Sequence, residues 1–291
     1  MNSFKLECPA KINLRLEVLK KREDGYHDIR SIIIPITIFD TLVIDLIPEG
    51  VIIESNSPQI PLDENNLAYK AAIAMKKLIN RDLGVRIKII KRIPVGAGLG
   101  GGSSDAAGVM LSLNKLLDLN LKNVELSNMG LEIGADVPFF IHKKNAIARG
   151  SGEKLEDIIL NTDIYLVLVY PDFPVSTAWA YSKIDLTISH NNISIPKIFD
   201  SINTVVSLLR NDLEKTVISE YPEVEEIKQT LIDEGALGSL MSGSGSCVFG
   251  VFAGKKESLQ AFKKIGLNKK WSVFNCKNFI YSNNGHSNGG K

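Results

Sequence analysis

One glycine-rich stretch decides both the fold and the kind of ligand: Pro94-Val95-Gly96-Ala97-Gly98-Leu99-Gly100-Gly101-Gly102-Ser103-Ser104-Asp105-Ala106-Ala107. Five of the seven residues 96–102 are glycine, so ligand atoms can approach the backbone closely. The stretch follows a strand-like pattern and opens an amphipathic helix, where free N–H groups and the helix dipole favour a bound phosphate. The alternative is a flexible connection, but that would need neither capping serines nor an alanine-rich helix start.

The surroundings of the glycines narrow the choice of phosphate ligand. Gly96, Gly98 and Gly101 satisfy the G-x-G-x-x-G spacing of dinucleotide folds, which is a weak match by itself. Four basic residues interrupt the preceding strand, and the nearest acid, Asp118, falls at the tail of the helix rather than on a following strand. No Gly-Lys-Ser or Gly-Lys-Thr closes the loop, as a Walker motif would require. The residues favour a nucleoside triphosphate held by backbone amides and serine hydroxyls.

The chain before the glycine loop reads as an antiparallel sheet and a helix. Residues 6–18 alternate between apolar and polar types, which predicts a half-buried strand. Asp24-Gly25 predicts a turn into a second strand. This second strand is predicted at residues 29–38, and further strands are predicted at residues 42–47 and 51–54. A helix is predicted from Leu67, with Asp63, Asn65 and Asn66 as candidate caps.

The chain after the glycine loop continues to mix helices and strands. Helices are predicted after the loop and at 124–133, and strands at 163–170, 246–252 and 273–281 alternate with further helices. This order indicates an α+β fold. We predict domains at residues 1–155 and 156–281, followed by a disordered polar tail at 282–291.

Composition excludes several classes of function. With 34 Lys and Arg against 33 Asp and Glu, the net charge is +1, too small to attract nucleic acid or an anionic membrane. The three cysteines stand far apart and the four histidines lack metal-ligand spacing, which disfavours a disulfide framework or zinc site. Neither a signal peptide nor a membrane span is predicted. We expect a cytoplasmic monomer or homodimer with no nucleic-acid or membrane partner.

Short motifs in both halves of the chain resemble those of the GHMP kinases, the small-molecule kinases that include galactokinase, homoserine kinase and mevalonate kinase. The glycine stretch is similar to their second motif, residues 9–14 with 24–27 resemble the first, and residues 241–246 resemble the third. Residues 134–140 and 148–153 are similar to the branch that acts on a cytidine diphosphate-linked methylerythritol. The resemblance implies a ribosomal-protein-S5-like N-terminal domain, a ferredoxin-like C-terminal domain, and ATP-dependent phosphorylation of an alcohol.

The resemblance assigns catalysis to Lys11 and Asp136. Asp136 precedes an apolar run, where partial burial can raise its proton affinity while a nearby cation keeps it ionised; residue type alone would favour a helix cap or a turn carboxylate, and the resemblance reverses that preference. Lys11 projects from the polar face of the first strand together with Asn13, although composition alone would make it a solvated lysine. In the family the corresponding lysine lies near the aspartate, against the reacting alcohol, so Asn13 is expected to bind substrate.

The resemblance further implies ATP and Mg²⁺ as cofactors. The residues expected to hold the nucleotide all belong to the glycine stretch: Pro94, Gly96, Gly98, Leu99, Gly100, Gly101, Gly102, Ser103 and Ser104. Ser104 is the candidate Mg²⁺ ligand by analogy with related kinases. Asp105 is expected to stabilise the helix dipole instead.

Aromatic residues after the first turn are expected to hold the cytosine. An aromatic ring can stack on a pyrimidine and an imidazole can read its polar edge, roles that the resemblance gives to Tyr26 and His27. Tyr181 is our choice for a second stacking ring, with Trp179 as its rival. Two other functions stay open, another alcohol kinase of the same superfamily and a regulatory nucleotide-binding protein without catalysis.

Overall fold

The computed structural model describes residues 3–78, 83–186 and 193–281, so the predicted tail at 282–291 lies outside the described residues. The strands are β1 (Ser3–Lys21), β2 (His27–Ile47), β3 (Val51–Ser55), β4 (Gly84–Ile90), β5 (Ala146–Gly150), β6 (Lys154–Asp157), β7 (Ile159–Leu160), β8 (Tyr165–Tyr170), β9 (Ile198–Phe199), β10 (Arg210–Asn211), β11 (Gly238–Met241), β12 (Val248–Phe252) and β13 (Ser272–Lys277). The helices are α1 (Leu67–Lys76), α2 (Gly101–Leu116), α3 (Asn123–Ile133), α4 (Val137–His142), α5 (Thr177–Ser182), α6 (Ile202–Ser207), α7 (Glu214–Glu220), α8 (Glu223–Asp233) and α9 (Lys255–Ile265).

The first sheet has the order β10-β1-β2-β4-β3, with β5 beside β2 and β6 beside β5. The predicted strands at 29–38 and 42–47 form the single strand β2, because β1 pairs along its whole length while β5 and then β4 pair on the other side. The sheet is antiparallel as predicted except at two outer strands, since β3 pairs with β4 in parallel and β10 pairs with β1 in parallel. The predicted domain boundary at residue 155 falls inside β6.

Helices α1 and α2 cover one face of this sheet. Their alanines and methionines pack in one core cluster with Ile44 and Ile87. Of the three candidate caps, Asn66 is the residue that caps α1, accepting a hydrogen bond from the Ala68 backbone N–H. This capping fixes where α1 begins and brings its first turn to the same end of the sheet as the glycine loop.

The second sheet has the order β11-β12-β8-β13 and is antiparallel throughout. Its strands and the two main helices follow one another as β8, α8, β11, β12, α9 and β13, which is the β-α-β-β-α-β arrangement of ferredoxin-like domains. The α+β class is therefore confirmed. Within the described residues, no helix combines the length and apolar character that a bilayer span needs.

Strand β1 is buried on both of its faces. Its apolar side chains Ile12 and Leu14 share a core cluster with Leu168 and Phe249 of the second sheet. The prediction of a half-buried strand is wrong, because the polar face is covered too: Lys11, Asn13, Arg15 and Glu17 are each at most 4 % exposed. Burial of these charges is tolerated because they pair with one another and with the second half of the chain.

Arg15 and Glu17 show how the polar face of β1 is satisfied. Arg15 donates to Glu17 Oε1 at 2.6 Å and to the Leu208 carbonyl at 3.0 Å, while Arg30 donates to Glu17 Oε2 at 2.5 Å. Although burial alone raises the pKa of Glu17, the hydrogen bonds from both arginines outweigh it and lower that pKa to about 2. The strand that carries Lys11 and Asn13 is thus locked between the two halves of the protein.

Candidate active site

A cavity of about 1000 Å³ lies between the two halves, at the upper end of the roughly 300–1000 Å³ typical of small-molecule sites. We call it the central cavity. Its lining includes residues from several of the predicted motifs: Lys11, Asn13, Tyr26, His27, Asp136, Tyr181, Gly243 and Ser244. Its size and its mixed polar and apolar wall suit two ligands lying end to end.

The glycine loop forms one wall of the central cavity. The predicted nucleotide-binding residues on that wall are Pro94, Gly96, Gly98, Leu99, Gly100, Gly101, Gly102 and Ser103. Gly96, Gly98 and Gly100 have φ values of 68°, 75° and 71°, a region that side chains disfavour. The Lys11 backbone N–H donates to the Leu99 carbonyl at 2.9 Å, which ties the loop to β1. The wall therefore presents backbone rather than side chains, together with the start of α2.

The third motif packs directly against the glycine loop. Ser242 Oγ donates to the Gly98 carbonyl at 3.1 Å, and the Cys247 backbone N–H donates to the Ala97 carbonyl at 3.3 Å. A Cβ on Gly243 would lie 3.2 Å from Lys11 Nζ. The glycines of this turn allow the close approach that brings residues of the second half up to Lys11.

Lys11 and Asp136 face each other across the central cavity. Lys11 Nζ lies 3.5 Å from Asp136 Oδ2, with the lysine side chain 6 % and the aspartate side chain 36 % exposed. Lys11 also donates to Asn13 Oδ1 at 2.7 Å. Asp136 stands at the cap position of α4, yet its side chain makes no capping hydrogen bond, so the carboxylate is available to a ligand. Neither alternative, a solvated lysine or a helix-capping aspartate, describes these side chains.

Ser104 is placed differently from the expectation. It is buried, its hydroxyl donates to the Pro9 carbonyl at 2.7 Å, and it is absent from the cavity wall, which Ser103 joins instead. The expectation that Ser104 ligates Mg²⁺ is therefore corrected: in α2 the side chains of neighbouring residues point about 100° apart, so only one of the two serines can face the phosphate end. The Ser104 hydroxyl secures α2 to β1.

Asp105 also differs from the expectation of a dipole-stabilising carboxylate. It lies beyond the first turn of α2 and forms an ion pair of 3.0 Å with Lys91, which also pairs with Asp40. Burial raises the pKa of Asp105 to about 7, because the ion pair with Lys91 offsets only part of the desolvation and Asp40 adds a second negative charge. Its Oδ1 is buried without a hydrogen-bond partner. Lys91 and Asp105 form part of the cavity wall.

Three aromatic residues also line the central cavity: Tyr26, His27 and Tyr181. The His27 and Tyr181 rings are 5.2 Å apart between centroids and tilted by 36°, and Tyr26 is 61 % exposed at the cavity rim. Burial, and then the charge of Lys21, lower the pKa of His27, so its ring is neutral near neutral pH. Trp179 packs edge-on against Tyr221 instead and does not line the cavity. The geometry favours Tyr181 over Trp179 as the stacking partner.

Several wall residues escaped sequence reasoning. The sequence predicted a role for Asn66 only as a helix cap, and it presented Lys91 only as one of the four basic residues in the strand before the glycine loop. It predicted no role for Thr177, whose hydroxyl lies 2.9 Å from Ser244 Oγ. The one available signal was the position of Asp105 inside the glycine motif. The others lie in segments whose local pattern describes only their secondary structure.

Comparison with known proteins agrees with this geometry. Residues 66–144 match the family described as GHMP kinases N terminal domain, and residues 198–269 match GHMP kinases C terminal. The fold and site are those of a GHMP kinase, an ATP-dependent kinase of small molecules, and the predicted two-domain architecture is confirmed.

Relatives define the family more narrowly. A 4-diphosphocytidyl-2-C-methyl-D-erythritol kinase of Geobacter metallireducens is 45 % identical over 94 % of this chain and 98 % of its own length, and one of Geotalea daltonii is 43 % identical with the same coverage. A crystal structure of 4-(cytidine 5'-diphospho)-2C-methyl-D-erythritol kinase has a TM-score of 0.80 at 32 % identity, covering 94 % of this chain and 99 % of the other. The chain belongs to the 4-diphosphocytidyl-2-C-methyl-D-erythritol kinase family.

Proposed function

We propose that the protein transfers the terminal phosphoryl group of ATP to the 2-hydroxyl of 4-diphosphocytidyl-2-C-methyl-D-erythritol. The observation that carries this proposal is the Lys11–Asp136 pair, 3.5 Å apart, on the wall of a cavity that the glycine loop and the aromatic residues Tyr26, His27 and Tyr181 also line. A phosphate acceptor bound there would have its hydroxyl between a cation and a carboxylate. Phosphoryl transfer needs this positioning more than it needs covalent chemistry.

Asp136 is the proposed acceptor of the hydroxyl proton. Its carboxylate is partly exposed to the cavity and is not used for capping, so one oxygen can accept a hydrogen bond from the substrate hydroxyl. The nearby Lys11 ammonium offsets negative charge that spreads over the moving phosphoryl group. Asn13 accepts from Lys11 and so keeps the ammonium directed at the site.

The glycine loop is the proposed phosphate site. Backbone N–H groups from Gly98 to Ser103 and the positive end of α2 can hold the β- and γ-phosphates without a bulky side chain between them. Among the described residues, no cluster of three or more His, Cys, Asp or Glu side chains is arranged to hold a metal ion. Mg²⁺ would arrive with ATP as part of the substrate and would neutralise negative charge on the phosphates, and the Ser103 hydroxyl, on the cavity wall in the first turn of α2, would be available beside them.

The aromatic residues of the central cavity form the proposed cytosine site. Tyr181 supplies a ring beside His27, and Tyr26 adds a second ring at the rim. A neutral His27 can donate from one ring nitrogen and accept at the other, which matches the mixed polar edge of cytosine. A substrate without a nucleobase would leave the space beside these rings unfilled.

The experiment that tests the proposal is an ADP-release assay with three acceptors: the cytidyl substrate, homoserine and mevalonate. We expect ADP release with the cytidyl substrate but not with homoserine or mevalonate, and we expect mass spectrometry to detect the phosphorylated cytidyl product. Turnover only with homoserine or mevalonate would assign the enzyme to another branch. ATP binding with no turnover of any alcohol would instead support the regulatory alternative.

We further propose a reducing, cytoplasmic setting and a monomer or homodimer. All three cysteines are free and buried, which supports the first part. Light scattering across a dilution series tests the second part, and a larger assembly would contradict it.

A further inference from the structure

A chain of hydrogen bonds runs from the site into the first sheet. Lys11 Nζ donates to Asn13 Oδ1 at 2.7 Å, Asn13 Nδ2 donates to Ser31 Oγ at 2.8 Å, and Ser31 Oγ donates to the Arg15 carbonyl at 2.7 Å. The side chains of this chain are at most 4 % exposed, so water competes little for its bonds. Lys11 and Asn13 line the central cavity, whereas Ser31 stands behind them.

The last acceptor in this series of hydrogen bonds, the Arg15 carbonyl, fixes the direction of every bond before it. The Arg15 carbonyl can only accept, so the Ser31 hydroxyl gives it a proton and turns a lone pair toward Asn13. Asn13 must then direct its NH₂ group at Ser31 and its oxygen at Lys11. The reversed amide would set the Asn13 NH₂ group against the Lys11 ammonium, which can only donate. Ser31 thus selects the one amide orientation that gives Lys11 an acceptor.

Strand geometry makes this contact possible. The register between β1 and β2 shifts between Asn13, which pairs with Ile33, and Arg15, which pairs with Ile32. Such a bulge re-aims side chains on the strand that carries it. The Asn13 amide consequently reaches Ser31 on the neighbouring strand, 18 residues away in sequence.

We propose that Ser31 is a positioning residue for phosphoryl transfer. It orients the Asn13 amide, and that amide holds the Lys11 ammonium 3.5 Å from Asp136. Ser31 itself does not touch the reacting atoms. The inference rests on the proposed function for the work that Lys11 and Asp136 perform, whereas the positioning is a property of the hydrogen-bonded network itself.

Kinetics of three single variants test the proposal. We expect Ser31→Ala to lower kcat about tenfold or more while KM for ATP changes little, because misplacing a reacting group mainly slows the chemical step. Ser31→Thr keeps the oxygen and should recover most of the rate. Ser258→Ala is the matched control, since this serine is equally buried and also donates to a carbonyl, but in α9; it should turn over at the wild-type rate.

A double-mutant cycle separates positioning from general damage. In an Asn13→Ala background, the Ser31→Ala change should cost no further kcat, because the amide through which it acts has been removed. Equal losses in both backgrounds would overturn the proposal and leave Ser31 a merely structural residue. Melting temperatures of all variants are measured in parallel.

A crystal structure of Ser31→Ala gives a readout that is independent of the substrate. We expect Lys11 Nζ to leave Asn13 and to move beyond the ion-pair limit of about 4 Å from Asp136. An unmoved Lys11 would refute the positioning role even if the protein phosphorylates the cytidyl alcohol. An inactive wild-type enzyme with the Lys11 shift present would instead contradict only the proposed function.

Discussion

Gly98 and Ser242 join the two glycine-rich loops of the site. The Ser242 hydroxyl donates to the Gly98 carbonyl at 3.1 Å, and a Cβ added to Gly98 would lie only 2.0 Å from the Ser242 carbonyl oxygen. The loops come from opposite halves of the chain, so this contact sets how closely they pack around Lys11. Any side chain at position 98 would have to push the halves apart.

Gly98→Ala should therefore abolish most of the activity. Its φ of 75° is unfavourable for alanine, and the clash with Ser242 is with backbone that cannot rotate away. We expect kcat/KM for ATP to fall about a hundredfold or more, because the loop is displaced from the phosphates. Gly50→Ala is the control: its φ is 78° but its added Cβ meets nothing within 4 Å, so it should lose only some stability. Equal kinetics for both variants would mean that the clash is relieved locally.

Asp136→Asn and Lys11→Ala should each keep nucleotide affinity and lose turnover by about a hundredfold or more, the scale of a general base. The reason is that each removes one partner of the pair that flanks the acceptor hydroxyl. Calorimetry with ATP and steady-state kinetics give the two readouts. Lys197→Ala breaks an exposed ion pair with Glu156 instead, its lysine side chain being 73 % exposed, and should leave kcat unchanged. A near-normal rate in either site variant would remove that residue from the mechanism.

Tyr181→Ala should raise KM for the cytidyl substrate about tenfold or more, since stacking on a base is worth about 1–3 kcal/mol, while KM for ATP stays constant. Tyr181→Phe keeps the ring and should remain close to wild type. Trp179→Ala serves as the comparison because its ring packs on Tyr221 outside the cavity wall. A larger effect of Trp179→Ala than of Tyr181→Ala would reverse the assignment.

Asp105 should make stability depend on pH. Its pKa in the folded protein is about 7, above its ordinary value of 3.8, so folding favours the protonated form. Stability is then fully present below about pH 4 and declines as pH rises through 7. In urea titrations between pH 5 and pH 8, Asp105→Asn should remove this decline.

The control for the pH series is Asp233→Asn, which changes an exposed carboxylate at the end of α8. It should leave the slope of unfolding free energy against pH as in the wild type. Parallel slopes for wild type and Asp105→Asn would show that the Lys91 ammonium keeps Asp105 ionised throughout, contrary to the shift described here.

The amino-acid sequence by itself determined the α+β class and marked the glycine loop as a backbone surface suited to a ligand. These features depend on short-range rules: an alternating pattern marks a strand, and clustered glycines mark a backbone that must approach a ligand. Family resemblance then supplied the roles that spacing alone left open, such as a catalytic rather than capping Asp136.

Tertiary structure decided which side chains face the ligand. Ser103 and Ser104 are neighbours in sequence, yet only Ser103 reaches the cavity, because the rotation of α2 is set by its packing on β1. Lys91 forms ion pairs with Asp40 and Asp105, and the three residues lie on separate segments of the chain. Ser31 contacts Asn13 where a bulge shifts the register between two strands. Contacts of this kind depend on burial and register among residues far apart in the chain, and a local pattern carries no record of them.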